Sequence, residues 1–147
     1  MSGRFVQLTI RALDSLTALL PRRNPSPRHL RTGVRGEEEA YFYLRRQGYV
    51  IIARNYRTPH SRSELDIVAW DGDTLCFIEV KTRTSRSYRP AEMAVDFDKQ
   101  CDLSRVARAF MRKIAGQPPI RFDVLSVYLE PGLPPDITLF ENAFTMR

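Results

Sequence analysis

The spacing of hydrophobic and polar positions changes period along the chain, and each change marks an element. The clearest stretch runs Ser63-Glu64-Leu65-Asp66-Ile67-Val68-Ala69-Trp70, turns at Asp71-Gly72-Asp73, and continues Thr74-Leu75-Cys76-Phe77-Ile78-Glu79-Val80-Lys81-Thr82. Two apolar runs around a short Asp/Gly turn predict a β-hairpin. Side chains alternate between strand faces, so Glu64, Asp66, Val68 and Trp70 are expected on one face. Leu75, Phe77, Glu79 and Lys81 are expected on one face of the second strand. Asp66, Glu79 and Lys81 fall at the ends away from the turn, side by side, in an otherwise apolar setting.

Helical spacing takes over on either side of the hairpin. Gly36 to Gln47 predicts a helix with acids in its first turn, Arg45 and Arg46 in its last, and Gly48 as its stop. Its apolar face is Ala40, Tyr41 and Leu44, and Glu37 shares that inward side. Tyr49 to Ala53 predicts a strand, and Arg54 to Arg62 a polar connection carrying Pro59 and His60. After the hairpin comes a basic loop, Thr82 to Arg89, then a short helix from Pro90 to Val95. Asp98 to Ala115 predicts a long helix facing inward with Leu103, Val106, Ala107, Phe110 and Ile114. Lys99 lies on that same side. Ile120 to Glu130 and Ile137 to Phe144 predict two more strands, the last one peripheral. The order αβββαβ plus one strand gives an α/β fold, a mixed sheet flanked by helices on both faces. Tyr41 and Trp70 read as core residues, His60 as a loop histidine, and Arg105, Arg108 and Arg112 as a solvated helix face.

Charge changes the picture at one end. The 147-residue chain carries a formal net charge of +6 and a hydrophobic content of 43%, ordinary for one globular domain. Seven arginines and one acid (Asp14) fall in residues 1–35; the remaining 16 basic and 16 acidic residues cancel. The excess therefore belongs to an N-terminal arm. Val6, Ile10, Leu13, Leu16 and Leu20 there suggest a short amphipathic helix, and residues 21–35 a proline-rich basic linker. The boundary falls at 1–31 for the arm and 32–147 for the domain. An Arg-rich, acid-poor start also has the composition of an organellar transit segment. No apolar run reaches the roughly 18 residues of a membrane span, and Cys76 and Cys101 read as reduced thiols of a cytoplasmic protein.

Two carboxylates at a strand pair are oxygen ligands for a hard cation, Mg²⁺ or Mn²⁺. Asp66 and Glu79 are the expected metal ligands, with the Val80 carbonyl beside them and Glu37 completing the set from the helix. Lys81 stands where it can orient a water or neutralise phosphate charge. Arg83, Arg86, Arg89 and Tyr88 form the candidate nucleic-acid contact, leaving the sheet beside those carboxylates.

Asp66, twelve residues, then Glu79-Val80-Lys81 resembles the PD-(D/E)XK nuclease signature on its restriction-endonuclease-like αβββαβ order. Gly36-Glu37, Ala40, Leu44, Gly48-Tyr49, Arg54-Asn55, Glu64-Leu65-Asp66, Phe77 to Arg83, Lys99 and Arg121-Phe122-Asp123 resemble the YraN-like family of bacterial proteins. That family is similar to archaeal Holliday-junction resolvases. The resemblance covers roughly residues 30–130. It implies catalytic roles for Glu37, Asp66, Glu79 and Lys81, with Glu64, Lys99 and Asp123 in support. It also implies a metal-dependent nuclease acting on DNA, branched or flapped structures among its substrates, and a homodimer as the candidate assembly. RNA, and a nucleic-acid-binding module without catalysis, stand as alternatives. Ser63 stands where the family pattern usually has glycine, and the first 30 residues match nothing in that pattern.

Overall fold

The computed structural model describes residues 28–86 and 95–147. Among these the order is α1 (Arg28–Arg46), β1 (Val50–Arg57), β2 (Glu64–Asp71), β3 (Thr74–Arg83), α2 (Phe97–Met111), β4 (Ile120–Tyr128) and β5 (Asp136–Phe144). The expected N-terminal helix, the first part of the linker (21–27) and most of the short helix after Pro90 lie outside the described residues. So do Tyr88 and Arg89.

Helix α1 begins eight residues earlier than the sequence pattern predicts. The linker reading rested on Pro21, Pro25 and Pro27, and no proline follows Pro27 to interrupt a helix. Gly33 costs the helix about 1 kcal/mol relative to alanine and is carried. The other end stops as expected. Gly48 takes φ +95°, and the amides of Gln47, Gly48 and Tyr49 return to the carbonyls of Tyr43, Arg45 and Leu44, which satisfies the last turn.

The five strands form one sheet in the order β1-β2-β3-β4-β5, antiparallel except for the β3–β4 pair. The β2–β3 hairpin closes through Gly72-Asp73, with Gly72 at φ +61°, the first-position glycine of a tight hairpin turn. β3 and β4 run parallel from Leu75↔Ile120 to Arg83↔Tyr128. A parallel pair needs a crossover, and α2 supplies it. The final strand is an edge strand, as its sequence suggests.

The two helices cover opposite faces of the sheet. On one side Ala40, Tyr41 and Leu44 of α1 pack on Ile51, Ile67, Ala69, Cys76, Ile78, Leu125 and Val127. On the other, Leu103, Val106, Ala107 and Phe110 of α2 pack on Leu65, Val68, Leu75, Phe77, Phe122, Val124 and Phe144. Alternation along β2 holds from Ile67 to Trp70 and slips at Asp66. Leu65 packs with Val68 on the α2 side, not with Ile67 as strict alternation requires. Helix α1 sits hard against the far end of β3: a Cβ at Gly36 would come within 1.8 Å of the Thr82 hydroxyl. Only glycine allows this approach, and it sets how close Glu37 comes to the ends of β2 and β3.

Candidate metal and nucleic-acid site

The candidate site lies where β2 and β3 part. Their paired register ends at Ile67↔Ile78. One residue further, the Asp66 carboxylate accepts the Val80 amide at 2.7 Å. A side chain thus takes over a bond that the ladder would otherwise make, and the strands open around it. The same substitution accounts for the slip in side-chain alternation at Asp66.

Glu79 faces α2 and is 6% exposed. Its Oε1 accepts Lys81 Nζ at 2.9 Å and pairs with Lys99 Nζ at 3.5 Å. Its Oε2 is buried and has no hydrogen-bond partner. An orphaned buried carboxylate oxygen carries the full cost of its lost hydration. Asp66 shares the strain. Burial, then the neighbouring Glu79 charge, pushes its carboxyl up to about 7, against the Val80 amide that favours ionisation. Glu37 is also raised, mainly by burial; its hydrogen bond from Asn55 and the charge of Arg54 oppose this, while Glu64 and Glu79 add to it.

The raised Asp66 carboxyl has a consequence for stability. In the unfolded chain the group ionises near pH 4, whereas in the folded chain it holds its proton up to about 7. Its contribution is fully present below about pH 4 and lost as pH rises through about 7. In chelator, the metal-free protein is therefore expected to melt at falling temperature from pH 5 to 8. Asp66→Asn should flatten that slope and melt a few degrees higher at pH 8. Thermal melts across that range check it; a wild-type midpoint that rises toward pH 8 would contradict it.

The structure brings together Asp66, Glu79, Lys81 and Lys99, with Glu37 and Glu64 close enough to act through their charges. Glu64 itself is held by Arg57 at 2.6 Å. Among the described residues no three His, Cys, Asp or Glu side chains stand together closely enough to hold a metal ion. The three-carboxylate set expected from sequence is thus not gathered in this conformation. The residues that remain do suit a hard cation. One or two carboxylates are the usual protein share of a Mg²⁺ site, and the lone pairs of the buried Glu79 Oε2 accept no hydrogen bond.

Two other expected residues stand elsewhere. Asp123 aligns with Ile78 on β4 and faces α1, the opposite face from Glu79. There it is 0% exposed, bound by Arg121 Nε at 2.8 and 3.0 Å and by the Asn142 amide at 2.8 Å. Arg121 also reaches Tyr49 and Asp71. This cluster joins β4 to the edge strand and to the hairpin turn. Arg86 pairs with Glu130 and Asp136 and lies over the Tyr128 ring at 4.8 Å. Its guanidinium is engaged by the β4–β5 connection instead of standing free for phosphate. Arg83 ends β3, where its guanidinium donates to the Thr82 carbonyl at 3.1 Å. Of the basic stripe on α2, Arg105 pairs with Asp102 and the stripe is exposed. Tyr41 belongs to the core on the α1 side, and Trp70 packs against the core on the α2 side. Both cysteines are free, and burial followed by the Asp123 charge pushes the Cys76 thiol up to about 12. Sequence reading missed Asn55, whose signal was present only as part of the Arg54-Asn55 pair.

A five-stranded mixed sheet with one helix on each face, opened at one strand pair by a carboxylate, defines an α/β domain compatible with a restriction-endonuclease-like core. The chain belongs to the uncharacterised protein family UPF0102, the YraN-like family, whose model matches residues 36–127. It is 54% identical over 142 residues to a UPF0102 protein of Koribacter versatilis, covering 97% of this chain and 96% of that one. A UPF0102 protein of Solibacter usitatus is 44% identical over 110 residues, 74% of this chain and 82% of its own. One from Symbiobacterium thermophilum is 43% identical over 119 residues, 78% and 96% respectively. The Koribacter match continues into the N-terminal arm, which the family pattern alone left without a counterpart. No helix among the described residues is long and apolar enough to cross a membrane.

Proposed function

We propose that this protein is a Mg²⁺- or Mn²⁺-dependent nuclease that hydrolyses phosphodiester bonds in DNA, with branched or flapped structures as candidate substrates. The observation that carries this reading is the buried, unpartnered Oε2 of Glu79 beside a second carboxylate whose proton is held up to about 7. A bound divalent cation supplies an acidified water and neutralises charge on the scissile phosphate. Asp66 and Glu79 would hold that cation. The Val80 carbonyl would support them, because N–H and C=O of one strand residue face the same side and its amide already faces Asp66. Lys81 moves from Glu79 to the phosphate oxygens, where its ammonium meets the charge that develops during attack. Lys99 pairs with Glu79, and Arg83 takes a flanking phosphate.

Purified protein incubated with single-stranded, duplex and branched DNA in Mn²⁺ tests the reading. Cleavage is expected, and Asp66→Ala and Glu79→Ala should each abolish it. Cleavage that survives both substitutions overturns the assignment. A second reading, a nucleic-acid-binding module without catalysis, draws on the two lysines that already neutralise Glu79. It expects salt-dependent binding and no strand scission in any divalent metal.

A further inference from the structure

Helix α1 is longer than the stretch of sheet it covers. Its buried positions begin at Gly36 and recur at Ala40, Tyr41 and Leu44. No residue from Leu30 to Arg35 is buried. Leu30 and Val34 lie on the same side of the helix as Tyr41, yet they are 52% and 56% exposed. The first two turns therefore stand past the sheet. Their direction is fixed by Gly36, which lies against Thr82, the residue after Lys81. From there α1 runs back toward Gly48 and the far end of the sheet, where Val50 pairs with Trp70. The projecting turns thus leave at the end of β3 that carries Glu79 and Lys81. They bear Arg31 and Arg35, both exposed, on one helix face and about 6 Å apart along the axis. Side chains of a helix tilt toward its N-terminus, so both arginines lean past the sheet. No ion pair among the described residues engages either one, whereas Arg86 is held by Glu130 and Asp136. The formal charge excess of the chain also falls in residues 1–35, which favours a polyanion on this side.

We infer that the projecting turns of α1 are a phosphate clamp: Arg31 and Arg35 hold the DNA backbone where it approaches the opening between β2 and β3. The inference rests on the proposed nuclease reading for its ligand, DNA. The clamp reads no sequence, because phosphate contacts fix position and register only. Glycine at position 36 is what lets it stand there, since any side chain would lift α1 away from Thr82. A basic helix with an apolar side also suits an anionic membrane surface. The place of these turns, at the carboxylate end of β3, favours DNA.

The test measures binding of a fluorescent DNA duplex to the full-length protein by anisotropy, in chelator, over a series of salt concentrations. Arg31→Gln/Arg35→Gln keeps two good helix formers and removes two charges, so it should melt within a few degrees of wild type. Each phosphate contact adds about 0.9 to the slope of log affinity against log salt. The double variant should lose about 1.8 of that slope, which is roughly 60-fold in affinity near 0.1 M salt if the two lines meet near 1 M. Arg31→Lys/Arg35→Lys should restore the slope, because an ammonium also neutralises a phosphate. Arg105→Gln/Arg112→Gln removes two charges from the exposed face of α2 and should leave the slope unchanged. A wild-type slope in Arg31→Gln/Arg35→Gln, or an equal loss in the α2 variant, overturns the inference and leaves the nuclease reading intact. The expected slopes without any Mn²⁺-dependent cleavage overturn the nuclease reading and leave the clamp standing. A wild-type protein that binds no duplex, or that binds phosphatidylserine–phosphatidylcholine vesicles in its place, overturns both.

Discussion

Lys81→Met is expected to slow Mn²⁺-dependent DNA cleavage by about 10²–10³-fold, the usual loss when one donor aimed at developing charge is removed. The same substitution should tighten Mn²⁺ binding several-fold. In the metal-free protein Lys81 is a counter-ion of Glu79, at 2.9 Å from Oε1, and a cation must compete with it. Removing the ammonium leaves the carboxylate pair more negative, so affinity rises while the rate falls. The opposite signs separate this role from a structural one, in which both quantities would worsen together. Single-turnover cleavage and Mn²⁺ calorimetry on the same preparation check it. An unchanged rate would reduce Lys81 to a counter-ion.

The second large effect falls on stability. Asp123→Ala is expected to lower the unfolding free energy by about 1–3 kcal/mol, because it leaves a buried backbone donor without its acceptor. Asp123 is 0% exposed and holds Arg121 and the Asn142 amide. Its loss leaves the Asn142 amide without its acceptor where β5 joins β4, while Arg121 keeps Tyr49, Asp71 and Glu141. Replacing Arg121 and Asp123 together by apolar residues of similar volume should cost less than Asp123→Ala alone. Urea unfolding measures both, and a loss below about 1 kcal/mol for Asp123→Ala would contradict the assignment. Such a variant should keep its cation affinity while folded, since Asp123 and Glu79 point to opposite faces.

These two residues also show how far the sequence could be read. Lys81 was legible because it lies two residues from Glu79 on one strand, and alternation alone puts the pair on one face. Asp123 was not, because its face depends on the β3–β4 register, which aligns it with Ile78 and not with Glu79. No local pattern states that register. The ion pairs of Arg86 were hidden for a related reason: its partners Glu130 and Asp136 lie 44 and 50 residues away. The start of α1 was hidden by composition, since three prolines and a run of arginines imitate a linker up to the residue where the helix begins.

The hairpin and the carboxylate–lysine cluster were legible in outline, and their detail was not. Alternation correctly paired the two strands and brought Asp66 near Glu79. It could not foresee that Asp66 would capture the Val80 amide, or that a left-handed Asn55 would stand across from it. Both depart from ideal strand geometry at the same point in the sheet. Local rules are expected to fail where a site is built, and here the failure marks the opening between β2 and β3. The family relation adds a frame around that opening without assigning it a reaction.

The most direct measurement is a crystal of the full chain soaked with Mn²⁺ and read at a wavelength where manganese scatters anomalously. One peak is expected in the opening between β2 and β3, about 2.1 Å from an Asp66 oxygen and from Glu79 Oε2, with Lys81 displaced from Glu79. A map with no anomalous peak at that position, and with Lys81 and Lys99 still paired to Glu79, would contradict it.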